Sequence, residues 1–244
     1  MALVSLLQIE ETSMFKKRPM FKKRPRLLGE LGDLSYGKVS SSEFKYRKGT
    51  EIFGQAEPAD YIYQVIEGAV RTHKLLSDGR RQIGAFHLPG DIFGLENGDS
   101  HRFTAEAIVD TTVCIVKRDS LEREATKDPA MMRSLLTMTS NNLEHVENHL
   151  VLLGRKTATE RVKAFLLEMN HRLTTPGVMA LPMDRQDIAD YLGLTMETVS
   201  RVLAALQREG HVKVAGRYQR EIIVLHPPDL AEQNRRSFAL RAFE

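Results

Sequence analysis

The spacing of apolar residues changes character twice along this chain. Between residues 35 and 127 they fall in short runs separated by turn-forming residues. Strands are predicted at Val39–Tyr46, Tyr61–Glu67, Ala69–Leu75, Arg81–Leu88, Phe103–Ala107 and Thr112–Lys117, with turns at Arg47-Lys48-Gly49, Ser77-Asp78-Gly79 and Pro89-Gly90-Asp91. Strands at this spacing predict a β-sandwich or jelly roll. From residue 128 a helical period sets in. Met132, Leu136, Thr139, Leu143, Val146, Leu150 and Leu153 alternate spacings of four and three, the seam of a long helix over 128–153. Asp128 is its expected cap, Pro129 its first residue and Gly154 its stop. Leu135, Val151 and Leu152 lie off the seam. One face is therefore expected against the roll and another against a second copy.

Residues 154–226 read differently again. Ala158–Leu173 carries a helical stripe of Val162, Phe165, Leu166 and Met169, and Thr174-Thr175-Pro176-Gly177 breaks it. A short strand is predicted over Val178–Pro182. Asp184 then caps a helix with Ile188, Tyr191 and Leu192 on one face, and Gly193 ends it. After the Gly-Leu-Thr turn, Thr195 caps a second helix, with Val199, Val202, Leu203 and Leu206 inward. That is helix-turn-helix spacing. Val212–Val214 and Ile222–Leu225 predict a hairpin wing whose Lys213, Arg217 and Arg220 reach phosphates. The expected class is α+β: an N-terminal β-roll (35–127), a dimerisation helix (128–153) and a winged helix-turn-helix (154–226). An arm (1–34) precedes them. A tail (227–244) of mixed charge follows, with no function assigned to it.

The second helix of that motif places Glu197, Ser200 and Arg201 on one face, opposite the buried valines and leucines. A glutamate near DNA is repelled by phosphates unless it accepts a hydrogen bond from a cytosine N4 amino group. Arg201, one turn on, has the fork that matches guanine O6 and N7, and Ser200 can reach a base edge or phosphate. The plainer alternative is a surface ion pair between Glu197 and Arg201. Arg185, Gln186, Thr195 and Thr198 are placed to hold the DNA backbone, along with Lys213 and Arg217.

Charge sharpens this reading. The net charge of +3 is spread unevenly, as +5 over residues 1–26, −5 over 27–153 and +3 over 154–226. Only the flanking segments favour a polyanion. The first holds an identical tandem repeat, MFKKRP at Met14–Pro19 and Met20–Pro25. It reads either as a basic arm touching DNA or as a solvated leader. No apolar run approaches a membrane span, and Glu10 and Glu11 follow the short apolar start, the wrong order for a signal peptide. With a single cysteine, a cytoplasmic compartment is expected. No nucleophile–base pair or phosphate loop points to an enzyme. His145 and His149, four residues apart, lack an evident third metal ligand and read as surface histidines.

The run Glu-Thr-Val-Ser-Arg (Glu197 to Arg201), after Arg-Gln-Asp-Ile-Ala-Asp-Tyr-Leu-Gly (Arg185 to Gly193), resembles the Fnr/FixK branch of the Crp–Fnr regulators. Gly68-Ala69-Val70-Arg71 and Pro89-Gly90-Asp91-Ile92-Phe93-Gly94 resemble landmarks of that family's cyclic-nucleotide-binding-type roll. The resemblance implies a homodimer that reads TTGAT-like two-fold sites in double-stranded DNA. It implies an activator that touches RNA polymerase through Ser77–Gln82 and Thr174–Gly177 and controls microaerobic or nitrogen-fixation genes. The family's ligand sets do not match. Leu95 follows Gly94, Glu96 comes one place late, and Phe103 follows Arg102 where the phosphate loop needs a hydroxyl. An iron–sulfur cluster needs several thiolates, and Cys114 stands alone, on an alternating strand where it reads as a small buried hydrophobe. No cofactor is expected. The alternative is a regulator gated by an unidentified small molecule in the β-roll.

Overall fold

In the computed structural model, which describes residues 39–96, 98–173, 179–215 and 221–225, eight strands build two four-stranded antiparallel sheets. One orders β1 (Ser41–Tyr46), β8 (Thr111–Lys117), β3 (Tyr61–Glu67) and β6 (Ile92–Phe93). The other orders β2 (Glu51–Phe53), β7 (Thr104–Ala107), β4 (Val70–Leu75) and β5 (Arg81–His87). Alternation puts Tyr63, Val65, Phe93 and Val113 of the first sheet against Phe53, Val70 and Ala105 of the second. The six predicted strands are present with slightly shifted ends. The two that periodicity missed, β2 and β6, are too short for a period to show. Gly68 makes the β3–β4 turn at φ +95°, and a Cβ there would lie 2.5 Å from the Thr111 hydroxyl oxygen.

Helix α1 (Arg118–Lys127) falls inside the stretch read as roll, and buries only Leu121 and Ala125, too few to announce a helical stripe. Helix α2 (Pro129–Arg155) starts as expected, with the Asp128 carboxylate accepting from the Ala130 N–H at 2.9 Å. It does not stop at Gly154. One exposed glycine costs a helix only about 1 kcal/mol, and the chain leaves the helix at Lys156 (φ −94°, ψ 145°). Met131 and Met138 pack on the roll with Leu121 and Ala125. Leu136, Leu143, Val146 and Leu150 face outward, each between 58 % and 70 % exposed.

Helix α3 (Ala158–Leu173) opens with a capping box that the sequence reading passed over. The Glu160 carboxylate accepts from the Thr157 N–H at 2.7 Å, and the Thr157 hydroxyl faces the Glu160 N–H. Beyond it come β9 (Met179–Ala180), α4 (Arg185–Leu192), α5 (Met196–Arg208), β10 (Val212–Ala215) and β11 (Glu221–Val224), the three strands ordered β10-β11-β9.

The roll and the C-terminal helices share one apolar cluster. Ile83, Phe86 and Leu88 of the roll meet Phe165, Met169 and Tyr191 across the joint. Ion pairs rim it. Arg71 Nη1 and Arg81 Nη2 both donate to Asp187 Oδ1, at 2.6 and 2.7 Å. Arg81 Nε reaches Asp190 at 2.8 Å, and Arg71 Nη2 holds Glu106. Arg172 of α3 pairs with Asp91 of the roll. Arg161 closes the corner by donating to the carbonyls of Lys156, Leu153 and Leu192, orphan acceptors at the ends of α2 and α4.

Two predictions follow from the joint. Asp187→Ala leaves two guanidiniums facing each other in a largely buried site, and should cost about 3 kcal/mol in denaturant unfolding; Asp78→Ala, in an exposed pair, should leave the unfolding midpoint almost unchanged. Burial also holds the His149 imidazole, stacked on Tyr191, at about 4. A depressed histidine is charged in the unfolded chain first, so its contribution is complete above the unfolded value near 6.5 and is lost as pH falls towards 4. Thermal melts between pH 7 and 5 should drop more steeply for the wild type than for His149→Gln.

Candidate nucleic-acid interface

The motif is built by capping. Asp184 accepts from the Asp187 N–H at 2.9 Å and starts α4. Gly193 ends it in the left-handed region (φ 60°, ψ 42°), and the Leu194 N–H returns to the Ala189 carbonyl at 3.0 Å. The Thr195 hydroxyl oxygen then accepts from the Thr198 N–H at 3.2 Å, so only three residues separate α4 from α5. Val199, Leu203 and Leu206 are buried against α3 and α4. That fixes the rotation of α5 and turns Glu197 and Arg201 outward, both exposed. Met196 beside them is 42 % exposed.

Ser200 is half-buried and, with Arg185, Leu203, Ala204, Gln207 and Val214, lines a depression of about 270 Å³ between α4, α5 and β10. Arg185 therefore stands beside the exposed face of α5, half-buried, and burial lowers its pKa. Gln186 is exposed, but its amide donates to Asp190 at 2.7 Å. The Thr195 and Thr198 hydroxyls contact each other at 3.0 Å, so part of their hydrogen-bonding capacity serves the cap. Lys213 is exposed on β10. Arg217 and Arg220 lie outside the described residues, as does Thr174–Gly177.

On α2, the exposed seam runs from Met132 through Leu136, Leu143 and Val146 to Leu150. Leu153 departs from it. It is half-buried and its side chain lies towards Gly193, because the last turn of α2 meets the C-terminal helices there. Sequence reasoning also missed the functional weight of Asp187 and Asp190. The available signal was two acids on the first helix of a DNA-binding motif, where phosphates disfavour them unless basic residues elsewhere hold them.

Two family models match. The Crp-like helix-turn-helix domain covers residues 160–233, and the cyclic nucleotide-binding domain covers 43–128. The chain is 44 % identical over 185 residues to the nitrogen fixation regulation protein FixK of Rhizobium meliloti, covering 76 % of this chain and 83 % of that protein. It is 40 % identical over 189 residues to the transcriptional activatory protein AadR of Rhodopseudomonas palustris, covering 75 % and 79 %. Its structure is similar to that of FixK2 from Bradyrhizobium japonicum, with a TM-score of 0.77 and 58 % identity over 80 % of this chain and 97 % of that one. This chain belongs to the Crp–Fnr family, in its FixK-like branch. It is a DNA-binding transcription regulator.

In the roll of this FixK-like regulator, Glu96 and Phe103 are engaged by neighbouring residues. Glu96 pairs with Arg102 at 2.7 Å, and the ring of Phe103 lies over Gly84, where a Cβ would be 3.0 Å away. The Lys74 ammonium sits 5.0 Å from the same ring. His101 stacks on Phe53 at 3.5 Å. Cys114 is buried on β8. Among the described residues no group of three or more His, Cys, Asp or Glu is placed to hold a metal ion, and no helix is long and apolar enough to cross a membrane. In the β4–β5 hairpin, Leu75 to Arg80 are exposed, whereas Arg81 and Gln82 are turned to α4, with Gln82 reaching the Tyr191 carbonyl at 3.4 Å. Of the stretch Ser77–Gln82, Ser77 to Arg80 are therefore exposed and Arg81 and Gln82 are held in the joint.

Arg201→Ala should remove about 1–3 kcal/mol of sequence discrimination while leaving salt-dependent background binding in place. Competition between operator and random duplexes, read by fluorescence anisotropy, measures both; an unchanged operator preference would remove Arg201 from base reading.

Proposed function

We propose that this protein is a dimeric activator of nitrogen-fixation or low-oxygen genes that reads TTGAT-like two-fold sites. The observation that carries the reading is the exposure of Glu197 and Arg201, one turn apart, on the face opposite Val199, Leu203 and Leu206. In the major groove, Glu197 accepts from a cytosine amino group and Arg201 donates to a guanine, so the two select a G·C pair and its neighbour. Ser200 reaches a base edge from the side of the helix. Arg185, Gln186, Thr195, Thr198, Lys213 and Arg217 hold phosphates and set the register. The names of relatives at 44 % and 40 % identity, a nitrogen fixation regulation protein and a transcriptional activatory protein, support the class of target genes and the activating sign.

The second copy docks along Met132, Leu136, Leu143, Val146 and Leu150. A two-fold dimer then presents two α5 helices about one DNA turn apart. RNA polymerase meets the exposed part of Ser77–Gln82 and the Thr174–Gly177 segment, in the cytoplasm. Neither a cyclic nucleotide nor an iron–sulfur cluster is required. Selection of bound duplexes from a random pool, with and without oxygen, tests the reading; recovery of no two-fold consensus would end it. Leu143→Glu should convert the dimer to monomer on sizing with light scattering, and weaken operator binding by about tenfold or more by adding a charge to an apolar seam.

A further inference from the structure

Beneath the joint, where the last turns of α2 meet α3 and the end of α4, lies a cavity of about 450 Å³, within the size range of small-molecule sites. It is outside the β-roll. One face of α2 supplies His149 and Leu152, Lys156 follows its last turn, and Ala164, Phe165 and Glu168 of α3 with Tyr191 of α4 complete the wall. The wall is aromatic on one side, since His149 stacks on Tyr191 at 4.2 Å and Tyr191 lies 5.9 Å from Phe165. His149 Nε2 is buried and has no hydrogen-bond partner. An orphaned polar atom of that kind disfavours the empty site unless something pairs with it. The two charged groups at the rim differ. Glu168 is engaged by Arg172 at 3.2 Å, whereas no described carboxylate is paired with the Lys156 ammonium.

We propose that this cavity binds a small aromatic carboxylate. Its flat body lies along His149, Tyr191 and Phe165, its carboxylate meets Lys156, and a polar substituent pairs with His149 Nε2. Such a ligand touches both α2 and the helices that carry α5. Its occupancy is therefore linked to how the reading helix is held relative to the dimer seam.

The test uses the full-length dimer and 6-hydroxy-2-naphthoate as a fluorescent probe, since the chain has no tryptophan to obscure it. One probe should bind per chain. Lys156→Met should weaken it about tenfold, the loss of one charge-assisted hydrogen bond. His149→Phe, which keeps a ring against Tyr191, should weaken it about fivefold. Ala164→Leu, which fills the space, should abolish it. Circular dichroism and sizing should show each variant folded and dimeric, with operator affinity of the free protein unchanged. 2-Naphthol, which lacks the carboxylate, should bind at least tenfold more weakly than the acid. Absence of binding up to millimolar probe, equal binding of 2-naphthol, or binding that survives both Lys156→Met and Ala164→Leu would overturn the assignment.

Discussion

Asp187 holds this molecule in register. One carboxylate oxygen on the first turn of α4 accepts from two guanidiniums of the roll. Its position near a helix N-terminus favours the negative charge, and Asp184 caps the same turn. Burial pushes the Asp187 carboxyl up, and Arg71 and Arg81 oppose that shift. A shared acceptor of this kind tolerates little displacement, because moving α4 strands two cations at once. The apolar cluster beneath it, from Ile83 and Phe86 to Phe165 and Tyr191, gives the joint most of its driving force, while the ion pairs give it direction.

The consequence reaches the DNA-reading face. α5 is tied to α4 by a three-residue turn, so whatever fixes α4 fixes α5. Arg161 does the same from below, joining the carbonyl ends of α2 and α4 through α3. The seam of α2 and the exposed face of α5 thus belong to one mechanical frame. The hinge cavity lies inside that frame, which makes it a place where a small molecule would bear on both surfaces.

Much of this was legible before any coordinates. The caps at Asp128, Asp184 and Thr195 and the stop at Gly193 are local signals, and each is met by a hydrogen bond or a dihedral in the structure. The strands β3, β4 and β8 were likewise readable, as short apolar runs bounded by turn residues. Gly154 misled because a lone glycine inside a long hydrogen-bonded ladder is tolerated. α1 was hidden because only Leu121 and Ala125 face inward. Arg81 and Gln82 were expected on a polymerase-facing surface because nothing in their neighbourhood names Asp190 or the Tyr191 carbonyl, more than a hundred residues away.

The sequence by itself determined the local chemistry: which helices form, where they stop, and that Glu197 and Arg201 share a face opposite a buried stripe. These depend on interactions within a turn or two of chain, where side-chain type and spacing suffice. Tertiary structure alone decided that Arg71 and Arg81 converge on one aspartate, that Leu153 leaves the seam, that Phe103 lies over Gly84, and that His149 keeps an unpaired nitrogen beside a cavity. Those outcomes depend on how separate elements meet, and a period along the chain carries no information about which distant atom will lie across the gap.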